Sequence, residues 1–266
     1  MLFGAGKILK NLVYHHNFSS LILKNSRTIV VWLPPGYSQS NQHYPVLYLH
    51  DGQNLFEARD SLSGYSWQAD RTAASLIKEN KIDKLLMVGI YHQDNRLWEY
   101  TPFADKDIGG GGEAYLDFVL QEVKPFIDKN YRTKPERSST AMAGSSLGGL
   151  ISLYALFRYP DVFSKVGVMS PALYWCRGKI FRFISTAGFS RHNDSKIYLD
   201  MGTREGDTLK SFANSIKLVR RLRKQLIGLG FTETESLFYL EDEGARHDEI
   251  AWANRFKNVL MFFFGR

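Results

Sequence analysis

Ala141-Met-Ala-Gly-Ser-Ser-Leu-Gly-Gly-Leu150 decides how the rest of the chain is read. Within it, Gly144-Ser145-Ser146-Leu147-Gly148 is a G-x-S-x-G pattern. The small residues Ser138-Ser139-Thr140 precede it, and the apolar run Ile151-Ser152-Leu153-Tyr154-Ala155-Leu156-Phe157 follows. That order predicts a strand, a sharp turn and a buried helix. In such a turn the middle serine takes a strained backbone conformation, and only glycines fit where strand and helix nearly touch. Its hydroxyl is then presented at the sheet edge.

Strand and helix patterns alternate on both sides of this turn. Arg27 to Leu33 and Pro45 to His50 read as strands, the first closed by Pro34-Pro35-Gly36. Trp67 to Asn80 reads as a helix and Lys84 to Ile90 as a buried strand. Tyr115, Phe118, Val119, Val123, Phe126 and Ile127 keep helical spacing, with Pro125 expected to kink that helix or to start its last turn. Further strands are expected at Lys165 to Met169, Lys196 to Met201 and Glu235 to Leu240, and helices at Ser211 to Leu229 and Asp248 to Phe264. The alternation predicts an α/β fold with a mostly parallel central sheet and helices on both faces. All 266 residues are expected in one such domain, with residues 1–18 read as an N-terminal surface extension.

In a parallel sheet the site lies beyond the C-terminal strand ends. Ser146 therefore shares an edge with three segments: His50 to Phe56, Gly202 to Asp207 and Gly244 to Asp248. A serine nucleophile needs a base, a carboxylate to orient that base, and donors for an oxyanion. His247, after the final strand, is the expected base. Glu205 is the first choice for the acid and Asp207 the second; Asp200 lies inside its strand. The N–H groups of Leu147 and Gln53 are the expected oxyanion donors, with Gly52 read as letting the backbone approach the substrate.

Bulk properties exclude several classes. With 44% hydrophobic and 23% charged residues, the composition is that of a folded globular protein. The net charge of +7 is spread along the chain apart from Lys217, Arg220, Arg221, Arg223 and Lys224, read as a solvated helix face rather than a nucleic-acid surface. A single cysteine, Cys176, allows no intrachain disulfide and no cysteine-rich zinc site. No metal or cofactor is required by this chemistry. Neither a secretory signal nor a membrane span is expected, so a cytoplasmic protein acting on a small-molecule ester is the expectation. The oligomeric state is left open.

Several stretches together resemble the "Putative esterase" family of α/β-hydrolases, which includes feruloyl and acetyl xylan esterases and enterobactin-type esterases. They are Val31 to Tyr37, Val46 to Phe56, Arg96 with Glu99 to Pro102, Gly144 to Gly149, Ser170-Pro171, Gly202-Thr203 with Glu205, and His247 with Trp252. The resemblance runs from about Ser19 to the end of the chain. It implies an α/β-hydrolase fold, Ser146 as nucleophile, His247 as base, Glu205 as orienting acid, and Gln53 with Leu147 as oxyanion donors. One departure is Ser145, where S-formylglutathione hydrolases usually carry histidine, so that activity is discounted. Acyl transfer to a hydroxyl acceptor and an esterase-like binding scaffold are the alternatives. On the substrate side, Tyr174 and Trp175 are read as stacking surfaces or as packing, and Arg96 as a substrate contact or as half of an ion pair. The glycine run Gly109 to Gly112 is read as a mobile lid.

Overall fold

The computed structural model describes residues 7–9, 11–61, 63–188, 192 and 194–266. Nine strands form one sheet: β1 (Lys7–Leu9), β2 (Leu12–Ser20), β3 (Asn25–Trp32), β4 (Val46–Leu49), β5 (Leu86–Ile90), β8 (Thr140–Ser145), β9 (Lys165–Met169), β10 (Lys196–Gly202) and β11 (Leu237–Asp242). A separate two-stranded hairpin pairs β6 (Ala104–Asp105) with β7 (Ile108–Gly109). Across the main sheet the order is β1-β2-β3-β5-β4-β8-β9-β10-β11. Pairings from β1 to β5 are antiparallel, and every pairing from β5 to β11 is parallel. The fold is therefore α/β with a mostly parallel sheet.

Composition explains the central strands. Every residue of β4, β5 and β8 is buried, as continuous apolar runs covered on both faces must be. The helices are α1 (Ala69–Lys78), α2 (Arg96–Glu99), α3 (Gly112–Phe118), α4 (Lys124–Asn130), α5 (Leu147–Arg158), α6 (Lys179–Thr186), α7 (Leu209–Gly228) and α8 (Glu249–Phe264). Two apolar clusters fill the two faces, one around Val88, Met142, Ile151 and Leu199, the other around Met87, Ala143, Trp252 and Phe256. Helix α5 is buried from Leu147 to Phe157, all the way round. Each of its large apolar side chains contributes on the order of 1.5–3 kcal/mol by burial.

Three expectations need correction. The stretch up to residue 18 is not a surface extension over its described part: residues 12–20 form β2, paired along β3 from Leu12↔Trp32 to Ser20↔Asn25, with Leu12 and Phe18 buried. A shift in register between His15 and Phe18 breaks the alternation that would have marked the strand. Residues 1–6 and 10 of that stretch lie outside the described residues.

The glycines at 109–112 are not a loose lid. A Cβ on Gly111 would overlap the Trp98 indole, and one on Gly112 would come within 2.8 Å of Ile151 Cδ1. The Gly110 N–H donates to Thr101 Oγ1 (3.0 Å) and that of Gly111 to Trp98 O (2.9 Å). Close packing, not mobility, requires these glycines.

The third concerns the helix of Tyr115 to Ile127: Pro125 does stand at the start of its final segment, but what precedes it is a π-turn rather than a simple kink. A five-residue π-turn, Val119–Val123, sits immediately before α4, whose first turn holds Pro125. Proline has no N–H and its ring crowds the carbonyl a turn earlier, which the wider turn relieves. On α7, Arg220 and Arg223 are tied to Glu241 and Glu233 at 2.7 Å, so two cations of the basic patch are locally paired. Among the described residues no helix is long and apolar enough to cross a membrane.

Candidate active site

Ser146 sits between β8 and α5 with φ 57° and ψ −119°, a conformation that costs a non-glycine residue on the order of 1 kcal/mol or more. Neighbouring backbone holds it there: its N–H donates to Met169 O (3.0 Å), and its carbonyl accepts from Ala172 and Leu150 (both 3.1 Å). Gly144 and Gly149 are sterically required. A Cβ on Gly144 would come within 2.8 Å of His50 Cδ2, and one on Gly149 within 2.8 Å of Met169 O.

Three sequence-predicted residues converge. His247 Nε2 lies 2.9 Å from Ser146 Oγ, and His247 Nδ1 lies 2.8 Å from Glu205 Oε2. With Glu205 ionised, Nδ1 carries the proton and Nε2 is left to accept from the serine hydroxyl. Glu205 is buried, whereas the histidine side chain is 39% exposed. Asp207, the second choice for the acid, is exposed on the cavity wall. The histidine loop is sewn to the acid loop: Arg204 N donates to Ala245 O (3.0 Å), Thr203 N to Asp242 O (2.9 Å) and Gly244 N to Thr203 Oγ1 (2.9 Å). The Trp252 indole meets the imidazole edge-on, with ring centroids 4.9 Å apart.

The loop after β4 lies beside the first turn of α5. His50 N donates to Ala143 O (3.1 Å), and a Cβ on Gly148 would stand 3.2 Å from His50 Cβ and 3.6 Å from Asp51 Oδ2. Leu147 opens α5, and Gln53 is the middle residue of the single 3-10 turn Gly52–Asn54. N–H groups at the start of a helical turn have no carbonyl behind them within that turn, and both of these stand at the sheet edge near Ser146. The reason for Gly52 is not the expected one. A Cβ there would strike Gly89 C at 2.7 Å and Ile90 N at 2.8 Å, so its bareness faces β5 rather than a substrate.

Arg96 is half of an ion pair. Its Nε and Nη2 reach Asp51 Oδ1 and Oδ2 at 2.6 and 2.8 Å, and its guanidinium lies 5.0 Å over the Tyr100 ring. It braces the Gln53 loop rather than offering a free cation to substrate. Glu99 pairs elsewhere, with Arg27. Trp175 also corrects to packing: its indole N–H donates to Phe103 O (2.7 Å), against the β6–β7 hairpin. Tyr174 is different. It is 64% exposed and lines a cavity of about 1320 Å³ that also touches Ser170, Met201, Glu205, Phe212 and His247.

The sequence assigns no role to several residues beside the site. Ser170 Oγ donates to Glu205 Oε1 (2.5 Å), and Arg255 is buried among Asp200, Glu205 and Asp242. Burial pushes Asp200 up to about 6, against the pull of Arg255. Glu249 links two loops, accepting from Asn54 Nδ2 (2.9 Å) and Trp67 Nε1 (2.5 Å). Its burial, with the Asp51 carboxylate nearby, pushes it up to about 7. Only Ser170 and Trp252 stood within the stretches of family resemblance, and Arg255 lies one helical turn beyond Trp252.

The profile of the "Putative esterase" family matches residues 20–263. The chain belongs to this family of esterases. Among relatives, the uncharacterized protein YbbA of Bacillus subtilis (strain 168) is 29% identical over 249 residues, 91% of this chain and 94% of that protein. The siderophore triacetylfusarinine C esterase of Aspergillus fumigatus is 25% identical, covering 82% of this chain and 81% of its own. Among solved structures, the siderophore hydrolase EstA from Aspergillus nidulans superposes with a TM-score of 0.71 at 22% identity, covering 98% of each chain, a likeness of fold. The esterase thus shares its architecture over nearly its whole described length.

Proposed function

We propose that this esterase cleaves a carboxylic ester through an acyl-enzyme on Ser146. His247 takes the hydroxyl proton as the serine attacks and returns it to the leaving alcohol; Glu205 holds the Nδ1–H tautomer and stabilises the imidazolium that forms. The N–H groups of Leu147 and Gln53 receive the charge developing on the carbonyl oxygen. Water, activated by the same imidazole, then releases the acid. One observation carries this reading: the unbroken relay from Ser146 Oγ through both imidazole nitrogens to Glu205 Oε2, at 2.9 and 2.8 Å.

Replacing Ser146 by alanine tests it. Hydrolysis of an activated acetyl ester is expected to fall by at least about a thousandfold, and labelling by an organophosphonate to disappear. A variant that keeps most of its turnover would remove Ser146 as nucleophile. A second reading, transfer of the acyl group to a hydroxyl acceptor, is favoured by the cavity of about 1320 Å³ lined by His247 and Glu205. That exceeds the roughly 300–1,000 Å³ of ordinary small-ligand pockets and leaves space for an acceptor. Adding a sugar or glycerol at high concentration and finding no ester product beside the free acid would eliminate transfer.

A further inference from the structure

Glu205 presents one oxygen to His247, and its other oxygen is held by groups that the hydrolytic reading above does not use. Oε1 accepts the Ser170 hydroxyl at 2.5 Å and the Gly202 N–H at 2.6 Å. The Ser170 hydroxyl is itself filled. Trp252 Nε1 donates to it at 2.9 Å and Arg255 Nη2 at 2.8 Å. Indole and guanidinium N–H groups only donate, so both acceptor positions of the hydroxyl are taken and its single proton has one destination, Glu205 Oε1. The direction of this bond follows from chemistry alone.

The backbone of the same residue is equally constrained. Ser170 stands at φ 41°, unfavourable for any residue with a Cβ, and its N–H donates to Asp200 Oδ1 at 2.9 Å. The preceding carbonyl, Met169 O, accepts the Ser146 N–H at 3.0 Å. Two consecutive residues at the end of β9 therefore fix the nucleophile through a main-chain bond and the acid through a side chain. The other groups facing Glu205 are Arg255, with Nη2 at 3.4 Å from Oε1, and His247. Arg255 also faces Asp200 at 3.2 Å and Asp242 at 3.7 Å, and Tyr198 OH donates to Asp200 Oδ2 at 2.9 Å.

We infer that Ser170 is a positioning residue for the acid. Its hydroxyl, oriented by Trp252 and Arg255, locks the Glu205 carboxylate in rotation and keeps it an acceptor, so that Oε2 holds the imidazole in the tautomer that can take a proton from Ser146. This inference rests on the reading of Glu205 as the orienting acid. Removing the hydroxyl leaves the carboxylate free to turn and weakens its grip on the imidazolium. The Ser170 hydroxyl itself is fully engaged by Glu205, Trp252 and Arg255, so its loss is expected to act through the acid rather than through substrate binding.

The test is a double-mutant cycle on p-nitrophenyl acetate using Ser170→Ala, Glu205→Gln and the combined variant, with kcat, KM and thermal midpoint measured for each. Ser170→Ala is expected to lower kcat about tenfold with KM within about twofold, and to cost less than about twofold once Glu205 is already Gln. An equal loss in both backgrounds would make Ser170 a structural residue acting independently of the acid, and an unchanged kcat would overturn its role outright. If Glu205→Gln itself keeps full kcat while Ser146→Ala is inactive, the acid assignment fails and this inference falls with it. Should Ser170→Ala not fold, Trp252→Phe takes its place. It keeps an aromatic ring beside His247 but frees one side of the hydroxyl, and its expected loss of about threefold must likewise vanish in the Gln background.

Discussion

Two arginines, Arg27 and Arg255, are equally buried, at 2% exposure each, and lead opposite lives. Arg27, on β3, meets one acid: Glu99 at the end of α2 accepts from Nη1 at 2.8 Å and Nη2 at 2.6 Å, with both side chains at zero exposure. Charge is matched one to one, and the pair fixes α2 to the antiparallel side of the sheet. Arg255, on α8, stands among Asp200, Glu205 and Asp242 on the parallel side. A cation spread over several acids cannot satisfy them all equally. Glu205, under the imidazole, shares it with Asp200, which burial pushes up to about 6 against that pull.

The comparison can be broken most forcefully at Arg255. Arg255→Met should cost about 5 kcal/mol in urea unfolding, because it leaves buried carboxylates without a counter-charge, and should also lower kcat. A variant that loses stability alone would put the two arginines in the same class. Glu99→Ala should cost about 3–4 kcal/mol while kcat per folded molecule stays within about twofold, and the double replacement Arg27→Met with Glu99→Leu should recover nearly all of it. No single partner replacement should rescue Arg255→Met.

A third buried group, His50, sharpens the contrast by carrying no charge at all. Burial depresses it to about 4; its nitrogens meet Tyr115 OH at 2.8 Å and Ser152 Oγ at 3.1 Å. Its folded value lies below the unfolded value of about 6.5, so the unfolded chain takes up the proton first as pH falls. Its contribution is complete above about 6.5 and is lost between there and about 4, amounting to roughly 3 kcal/mol. His50→Gln should flatten that part of the stability–pH curve; an unchanged slope would mean that His50 takes up its proton equally readily in the folded and unfolded chains. The smallest effect belongs to the open side of the site, where Tyr174→Ala should raise KM about fivefold for an aromatic ester, with kcat and unfolding midpoint unmoved. An aromatic-ester KM unchanged from that of the unsubstituted protein would remove Tyr174 from substrate contact.

What could be read from the sequence was what is local. The turn at Gly144 to Gly148 has glycines at fixed offsets from Ser146, and the buried strands are unbroken apolar runs, so the fold and the convergence of Ser146, Glu205 and His247 follow from loop positions on a parallel sheet. What could not be read depends on distant partners. Arg255 and Ser170 are 85 residues apart, and nothing near either names the other. Arg96 and Trp175 look available for substrate until Asp51 and the carbonyl of Phe103 are found to occupy them. Strand β2 escaped because His15, His16 and Asn17 interrupt its apolar pattern where the register shifts.

Helix α5 has no solvent-facing side from Leu147 to Phe157. A helix packed on every surface holds its N-cap residue, Ser146, firmly in place, which on the proposed mechanism keeps the nucleophile fixed while esters vary. On that mechanism, adaptation to differently shaped acyl or alcohol groups falls to the cavity wall formed by residues 171–174 and 203–207, and divergence within such enzymes would proceed by rebuilding that wall around a fixed centre.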